Sequence, residues 1–346
     1  MAGSVFLDAI FRRRKKHMVF NNIYIWTVSA AAMEFDFHTI RAATSGFSDI
    51  VVFNSLYKGK LPDGQDIVVK ILSRDLPWVE RVIHSECRLL SRLQHKNLIN
   101  LVGFCNNRNR FYLVFEFMPN SSLDRFIHEP SRAFQIPWEI CRNIIGGVAR
   151  GLRYLHEECG LRVIHRDIKP ANILLDAEMN PKIAGFELAM QTREIESENY
   201  NTEIAGTAGY LAPEILTSGR FSAKSDVYSF GILILEIISR RRVLQPEEHL
   251  VTYVRRCWNE GRSLDIVHED LREDDSITEI TRFIHIALLC VDENVETRPN
   301  AETVLHWFSC RSSAALPLPS TMASSAQYES LSSPTSSVTL SDSEFV

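Results

Sequence analysis

The sequence predicts an α+β fold of two lobes: a small antiparallel-sheet lobe with one helix, then a mainly helical lobe. Three observations predict it. Four strand-like runs crowd into residues 56 to 117. A later run, VYSFGILILEII within Lys224 to Arg240, is apolar nearly all round, as a buried helix is. Between them, Val163 to Glu187 reads as a polar loop followed by a β-hairpin.

In chain order, residues 1–34 form a basic leader, expected to be disordered. FDFHTIRAATSGFS, Phe35 to Ser48, reads as an amphipathic turn and helix. Leu56 to Leu61 and Asp66 to Leu72 are strands joined by LPDG, where Pro62 presets φ and Gly64 closes the turn. The second of these strands carries Lys70. Trp78 to Leu93 has helical periodicity, with Val82, Ile83, Leu89, Leu90 and Leu93 on the apolar positions, and it carries Glu86. Asn97 to Cys105 and Phe111 to Phe117 are further strands. NSSLDRFI then starts the second lobe with a helix capped by Asn120 or Ser121. Pro137 to Glu158 is a long helix leading into the central loop. Beyond the hairpin comes a polar segment ending at Ala212, Pro213 and Glu214, and helices continue to about Phe308. From Arg311 to Val346 the chain is serine-rich with Pro317, Pro319 and Pro334, the composition of a disordered tail.

Composition narrows the function. The chain has 346 residues, 45% hydrophobic and 23% charged, room for one two-lobed domain and tails. A net charge of -5 gives no case for nucleic-acid binding. Seven cysteines at irregular spacing, with no CxxC pair, fit free thiols in a reducing compartment. No segment reaches the ~18 apolar residues of a membrane span. The basic run Arg12 to Lys16 offers weak attraction to an anionic membrane surface, ~1 kcal/mol per charge. The expected location is therefore cytoplasmic, with peripheral contact at the plasma membrane.

The chemistry concentrates in VIHRDIKPANILLDAEMNPKIAGFE, Val163 to Glu187. The spacing suits phosphoryl transfer: Asp167 to accept a hydroxyl proton, Lys169 to hold the moving phosphoryl group, Asn172 to hold a metal ion. HRDIKPAN resembles the catalytic loop of eukaryotic protein kinases. With FDFHTIRAAT, LPDGQDIVVK, LQHKNLINLVGFC, NSSLDRFI, YLHEE, GTAGYLAPE and KSDVYSFG, residues 35 to 309 resemble plant receptor-like protein kinases. The likeness is nearest to the cytoplasmic domain of the cysteine-rich receptor-like group, without ectodomain or membrane span.

The resemblance implies a two-lobed protein kinase fold over residues 35–310, with lobes at about 35–118 and 119–310. It implies ATP and Mg²⁺ as cofactors. Lys70 would pair with Glu86 and orient the phosphates, and Asn172 would hold the metal. Val68, Glu116, Met118 and Leu174 would surround the adenine, with Phe115 as gatekeeper. Asp226 would brace the catalytic loop, Glu214 would pair with Arg298, and Thr202 and Thr207 are the phosphorylation candidates. The KP pair after HRD implies serine or threonine substrates. Partners would be other receptor-like kinases or signalling proteins.

Three departures all weaken one site. The family's G-x-G-x-x-G phosphate loop is missing: Asp49 to Leu56 contains no glycine and is about five residues shorter than the family's. The first strand is therefore expected to be short or absent. The metal-binding triplet DFG is replaced by Gly185, Phe186 and Glu187, and glycine offers no oxygen ligand. Val68 stands where the family usually has alanine, which narrows the adenine slot. The sequence thus reads as a pseudokinase that signals by binding active kinases. The alternative is a weak serine/threonine kinase with Asp167 as base and Glu187, two residues on and on the same side of an extended segment, in place of the lost metal ligand.

Overall fold

The computed structural model describes residues 32–52, 56–75, 78–129, 136–192, 204–272, 276–310, 316–319 and 339–340. Thr202, the Arg12–Lys16 run and most of the serine-rich tail lie outside the described residues.

The fold is α+β, with a sheet lobe followed by a helical lobe. Six strands form the first lobe's sheet: β1 (Met33–Glu34), β2 (Ile50–Val52), β3 (Leu56–Lys60), β4 (Asp66–Ser73), β5 (Leu101–Asn107) and β6 (Arg110–Glu116). Their order is β1-β5-β6-β4-β3-β2. Every neighbouring pair is antiparallel except β1, which runs parallel to β5. Met33 and Glu34, read from sequence as the end of the leader, are therefore part of the sheet. They can approach because residue 103 is glycine: a Cβ there would lie 2.1 Å from the Met33 carbonyl oxygen. Strand β2 is three residues long, pairs with β3 through an irregular register, and is followed by residues outside the description.

Helix α1 (Phe37–Ala43) starts at Asp36, whose side chain accepts the Thr39 N–H at 2.9 Å. It packs Ile40 onto the outer face of the sheet, in a cluster with Ile67, Val69, Tyr112 and Val114. The period-two alternation of β4 sends Ile67 and Val69 to that face and Lys70 to the other. Helix α2 (Val79–Val82) continues as a π-helical stretch, Ile83–Leu89, which carries Ser85 and Glu86.

The second lobe begins with α3 (Asp124–His128). Neither Asn120 nor Ser121 caps it. The residue before it is Leu123, with no side-chain cap, and Asn120 Nδ2 donates instead to the Asp176 carbonyl at 2.6 Å. The reason is tertiary: the backbone of 120–123 is paired along the hairpin strand Ile173–Leu175, with Leu123 N–H on Ile173 and Leu175 N–H on Ser121. Helix α4 (Trp138–Arg153) closes with a π turn, Tyr154–Glu158. Next come β7 (Val163–Ile164), the hairpin β8 (Ile173–Leu175) and β9 (Pro181–Ile183), then β10 (Met190–Gln191) and β11 (Ala205–Gly206). Helix α5 (Pro213–Ser218) precedes α6 (Ala223–Ser239), in which every residue from Ser225 to Ser239 is buried. At its start the Ser222 N–H donates to Ser225 Oγ at 3.1 Å. Helices α7 (Leu250–Asn259), α8 (Ile277–Cys290) and α9 (Ala301–Ser309) complete the lobe. From the tail, Thr339–Leu340 lies parallel to β11 as β12.

Candidate active site

The site lies where the inner face of the sheet meets the β8–β9 hairpin and its flanking loops. β4 holds Lys70 between Leu56 of β3 and Leu113 of β6. The lysine is buried, and its Nζ meets Glu86 Oε2 at 3.0 Å. It also forms an ion pair with Glu187 Oε1. The Glu187 backbone carbonyl accepts the Ser85 hydroxyl at 2.9 Å, so residue 187 is tied to both β4 and the π stretch. Burial alone would lower the Lys70 ammonium, but Glu187 and Glu86 outweigh it and raise it above the ordinary lysine range. Two carboxylates share that one cation. Burial pushes Glu86 up to about 7, opposed by Lys70 and aided by repulsion from Glu187. Burial also acts to raise Glu187, but Lys70 overrides it and holds the group below its ordinary value.

The loop before the hairpin is held from below. Asp226, buried at the start of α6, accepts the His165 N–H and the Arg166 N–H, each at 2.8 Å, and meets His156 Nε2 at 2.9 Å. Arg166 has φ +71°, a left-handed turn that this bracing stabilises. His165 Nε2 meets the Ala184 carbonyl at 2.9 Å, and its ring packs edge-on to Phe186 at 4.8 Å.

Asp167, Lys169 and Asn172 converge with Thr207. Asn172 Nδ2 donates to the Asp167 carbonyl and to Oδ2, both at 2.8 Å. Lys169 Nζ lies 3.2 Å from Asp167 Oδ2 and donates to Thr207 Oγ1 at 2.9 Å. The Thr207 hydroxyl in turn donates to Asp167 Oδ1 at 2.5 Å. Thr207, read from sequence as a phosphorylation candidate, thus has its oxygen engaged by the acid and the lysine. Such a set can orient a hydroxyl and accept its proton.

Gly185 sits at φ +77°, ψ 51°, starting a short turn at Phe186–Leu188. A Cβ at this position would lie 2.6 Å from Asn172 Cγ and Oδ1. Asn172 Oδ1 is buried and has no hydrogen-bond partner. Among the described residues, no group of three His, Cys, Asp or Glu side chains is placed to hold a metal ion.

Beside these groups opens a cleft of about 290 Å³. Leu56, Val68, Phe115, Met118, Leu174 and Ala184 give it apolar walls, and Glu86 and Gly185 lie at its inner end. Val68, Glu116, Met118, Leu174 and Glu86 are thereby brought together. Lys70 and Asn172 stand behind the lining, reached through Glu86 and Gly185. The Glu116 carboxylate turns to the Asn100 N–H at 2.7 Å and Lys182 Nζ at 2.9 Å. Sequence reasoning missed Ser85 and the part of Ile50, Val51, Lys58 and Arg125 in lining the cleft. A lone serine on a helix carries no signal of its partner. Outside the cleft, Arg298 is fully buried with its guanidinium on Glu214 at 2.8 and 3.0 Å.

A protein kinase domain model matches residues 52–308. The chain belongs to the protein kinase family. Within it, the chain belongs with the cysteine-rich receptor-like protein kinases. It is 56% identical over 326 residues to cysteine-rich receptor-like protein kinase 45 of Arabidopsis thaliana, covering 92% of this chain and 90% of that protein. It is 41% identical over 335 residues to kinase 37 of the same plant, and 43% over 310 residues to kinase 11. There it covers 92% and 86% of this chain but only 52% and 46% of the relatives, so it spans about half their length. The protein kinase family works with ATP and Mg²⁺. No helix among the described residues is long and apolar enough to cross a membrane.

Proposed function

We propose that this receptor-like kinase relative has lost most or all phosphoryl transfer and signals by binding active kinases, with residues 35–310 as the acting unit. The observation that carries the reading is Lys70 held between Glu86 and Glu187. A lysine that must grip phosphates is already neutralised by two carboxylates, and the carboxylate that should hold the metal is Gly185. Magnesium demands several hard oxygen ligands. Here Asn172 Oδ1 is a buried oxygen without a partner, and Glu187 Oε1 is paired with Lys70. The residues present do not fit a magnesium site, and no catalytic step is assigned to that ion. Loss of one well-placed electrostatic stabiliser typically costs ~3–4 kcal/mol. All seven cysteines are free thiols, which supports a reducing, cytoplasmic setting.

The test is incorporation of labelled phosphate from ATP and Mg²⁺ by the full chain, into itself and into a serine/threonine peptide, beside Asp167→Asn. The expected result is no incorporation above the variant. Robust transfer abolished by Asp167→Asn would overturn the reading.

A second reading, a weak serine/threonine kinase, draws on one observation: the Asp167, Lys169, Asn172 and Thr207 network is complete. It requires Glu187 to leave Lys70 and bind the metal when nucleotide enters. Any activity would then fall at least ~10-fold in Glu187→Ala, while an unchanged rate would exclude that route.

A further inference from the structure

Away from the cleft, a short segment beyond α9 sits on the helical lobe. It reads Leu316, Pro317, Leu318 and Pro319. Each proline fixes its own φ near about −65°, and each leucine, standing before a proline, is steered to an extended backbone. All four positions therefore favour a left-handed polyproline turn. Such a helix has about three residues per turn, so positions three apart share a face. The burial follows that period: Leu316 and Pro319 are half-buried, while Pro317 and Leu318 between them are exposed, Leu318 to 89%. A strand would instead bury 316 together with 318.

The face that receives the segment is built by α7 and α8. Leu316 and Trp258 of α7 both pack against the main apolar cluster. The Trp258 ring centre lies 5.3 Å from that of His285 on α8. His285 Nε2 meets the Pro317 carbonyl oxygen at 2.7 Å. A carbonyl only accepts, so the imidazole donates. An aromatic surface beside a donor to backbone carbonyl is the chemistry that reads proline-rich segments. Neither Trp258 nor His285 lines the cleft.

We propose that the α7–α8 face around Trp258 and His285 is a docking groove for polyproline-type segments that carry leucine and proline three positions apart. This chain's own residues 316–319 fill it. The partner it fits is a protein presenting a segment of the same kind, taken up in exchange for the chain's own. The proposal is independent of phosphoryl transfer and holds under either reading above.

The experiment is calorimetric titration of the full chain with the peptide AALPLPST, copied from residues 314–321. In the unmodified chain the tethered segment competes at an effective concentration on the order of millimolar. Leu316→Ser in the chain weakens that competitor and is expected to raise peptide affinity at least ~10-fold. Pro319→Ser, at a half-buried position, opens the groove as well should Leu316→Ser fold poorly. Adding Trp258→Ala to the opened chain is expected to lower affinity at least ~10-fold. Changes in the peptide test the pattern without touching the fold. Leu316→Ser or Pro319→Ala in the peptide should weaken binding at least ~10-fold, and Leu318→Ser should leave it within about twofold. No binding to either opened chain up to millimolar peptide overturns the proposal. So does equal affinity in opened and unmodified chains, or an equal loss from all three peptide changes.

Discussion

Gly185 occupies a left-handed conformation, and a Cβ there would lie within 2.8 Å of Asn172 Cγ, Oδ1 and Nδ2. Restoring the family's aspartate there therefore has two costs, a left-handed backbone for a residue with a Cβ and displacement of a buried amide. Gly185→Asp is expected to lower stability by ~1–2 kcal/mol, read as a shift in the urea midpoint. It should not restore transfer alone, because Lys70 remains on Glu187. The double variant Gly185→Asp with Glu187→Gly frees the lysine and supplies the carboxylate. Its Asp167-dependent rate is expected to exceed that of either single variant by at least ~10-fold. Equal rates in all three would show that the missing phosphate loop, not these two residues, sets the defect.

The hairpin that carries Ala184 and Gly185 is placed by a helix. α4 runs against β9 with Gly147 and Gly151 at the crossing, where a Cβ would lie 2.3 Å from Pro181 Cγ and 2.7 Å from Ile183 Cδ1. The proline ring cannot rotate away, so Gly147→Ala must push the hairpin outward. A loss of ~1–3 kcal/mol is expected by urea denaturation, with unchanged m-value. Less than a few tenths would mean that the helix can slide. These two glycines sit in a helix interior, where glycine is unfavourable by itself; close packing explains them. Bracing of the loop by Asp226 is the other device at this scale, and HRDIKPAN and KSDVYSFG hold its two partners in the sequence.

The pH dependence of the whole molecule follows from its buried acids. Glu236, within α6, accepts Tyr210 O–H at 2.6 Å and Val243 N–H at 2.8 Å, with His128 3.6 Å away and Asp124 nearby. Burial pushes it up from the ordinary 4.5 to about 7. Below 4.5 it is protonated whether folded or unfolded. Between 4.5 and 7 the unfolded chain releases the proton and the folded one keeps it, so this group's stabilising contribution is lost as pH rises through 7. Glu86 acts in the same direction. The expected result is a smaller drop in Tm from pH 5 to pH 8 in Glu236→Gln than in the unmodified chain. An identical drop in both proteins would exclude this group as a source.

How much of this was legible beforehand depends on the range of the interaction. LPDG, the all-apolar stretch of α6 and HRDIKPAN are local patterns, and each specified its element before any packing was considered. So did the missing glycines and the glycine at 185, because an absent side chain needs no partner to be read. Two local readings failed where distant backbone intervened: the cap assigned to Asn120 or Ser121, taken over by pairing with β8, and the leader's end, drawn into the sheet beside Gly103. Sequence alone therefore determined the kinase fold, and it placed HRDIKPAN and the Gly185, Phe186, Glu187 triplet on the page. Only the tertiary structure decided where Glu187 points. Its extended-segment reading aimed it at a metal, but the chain turns at Phe186–Leu188 and delivers it to Lys70, 117 residues away in sequence. A buried ammonium attracts whichever carboxylate packing brings within reach, and no local pattern in the chain encodes that distance.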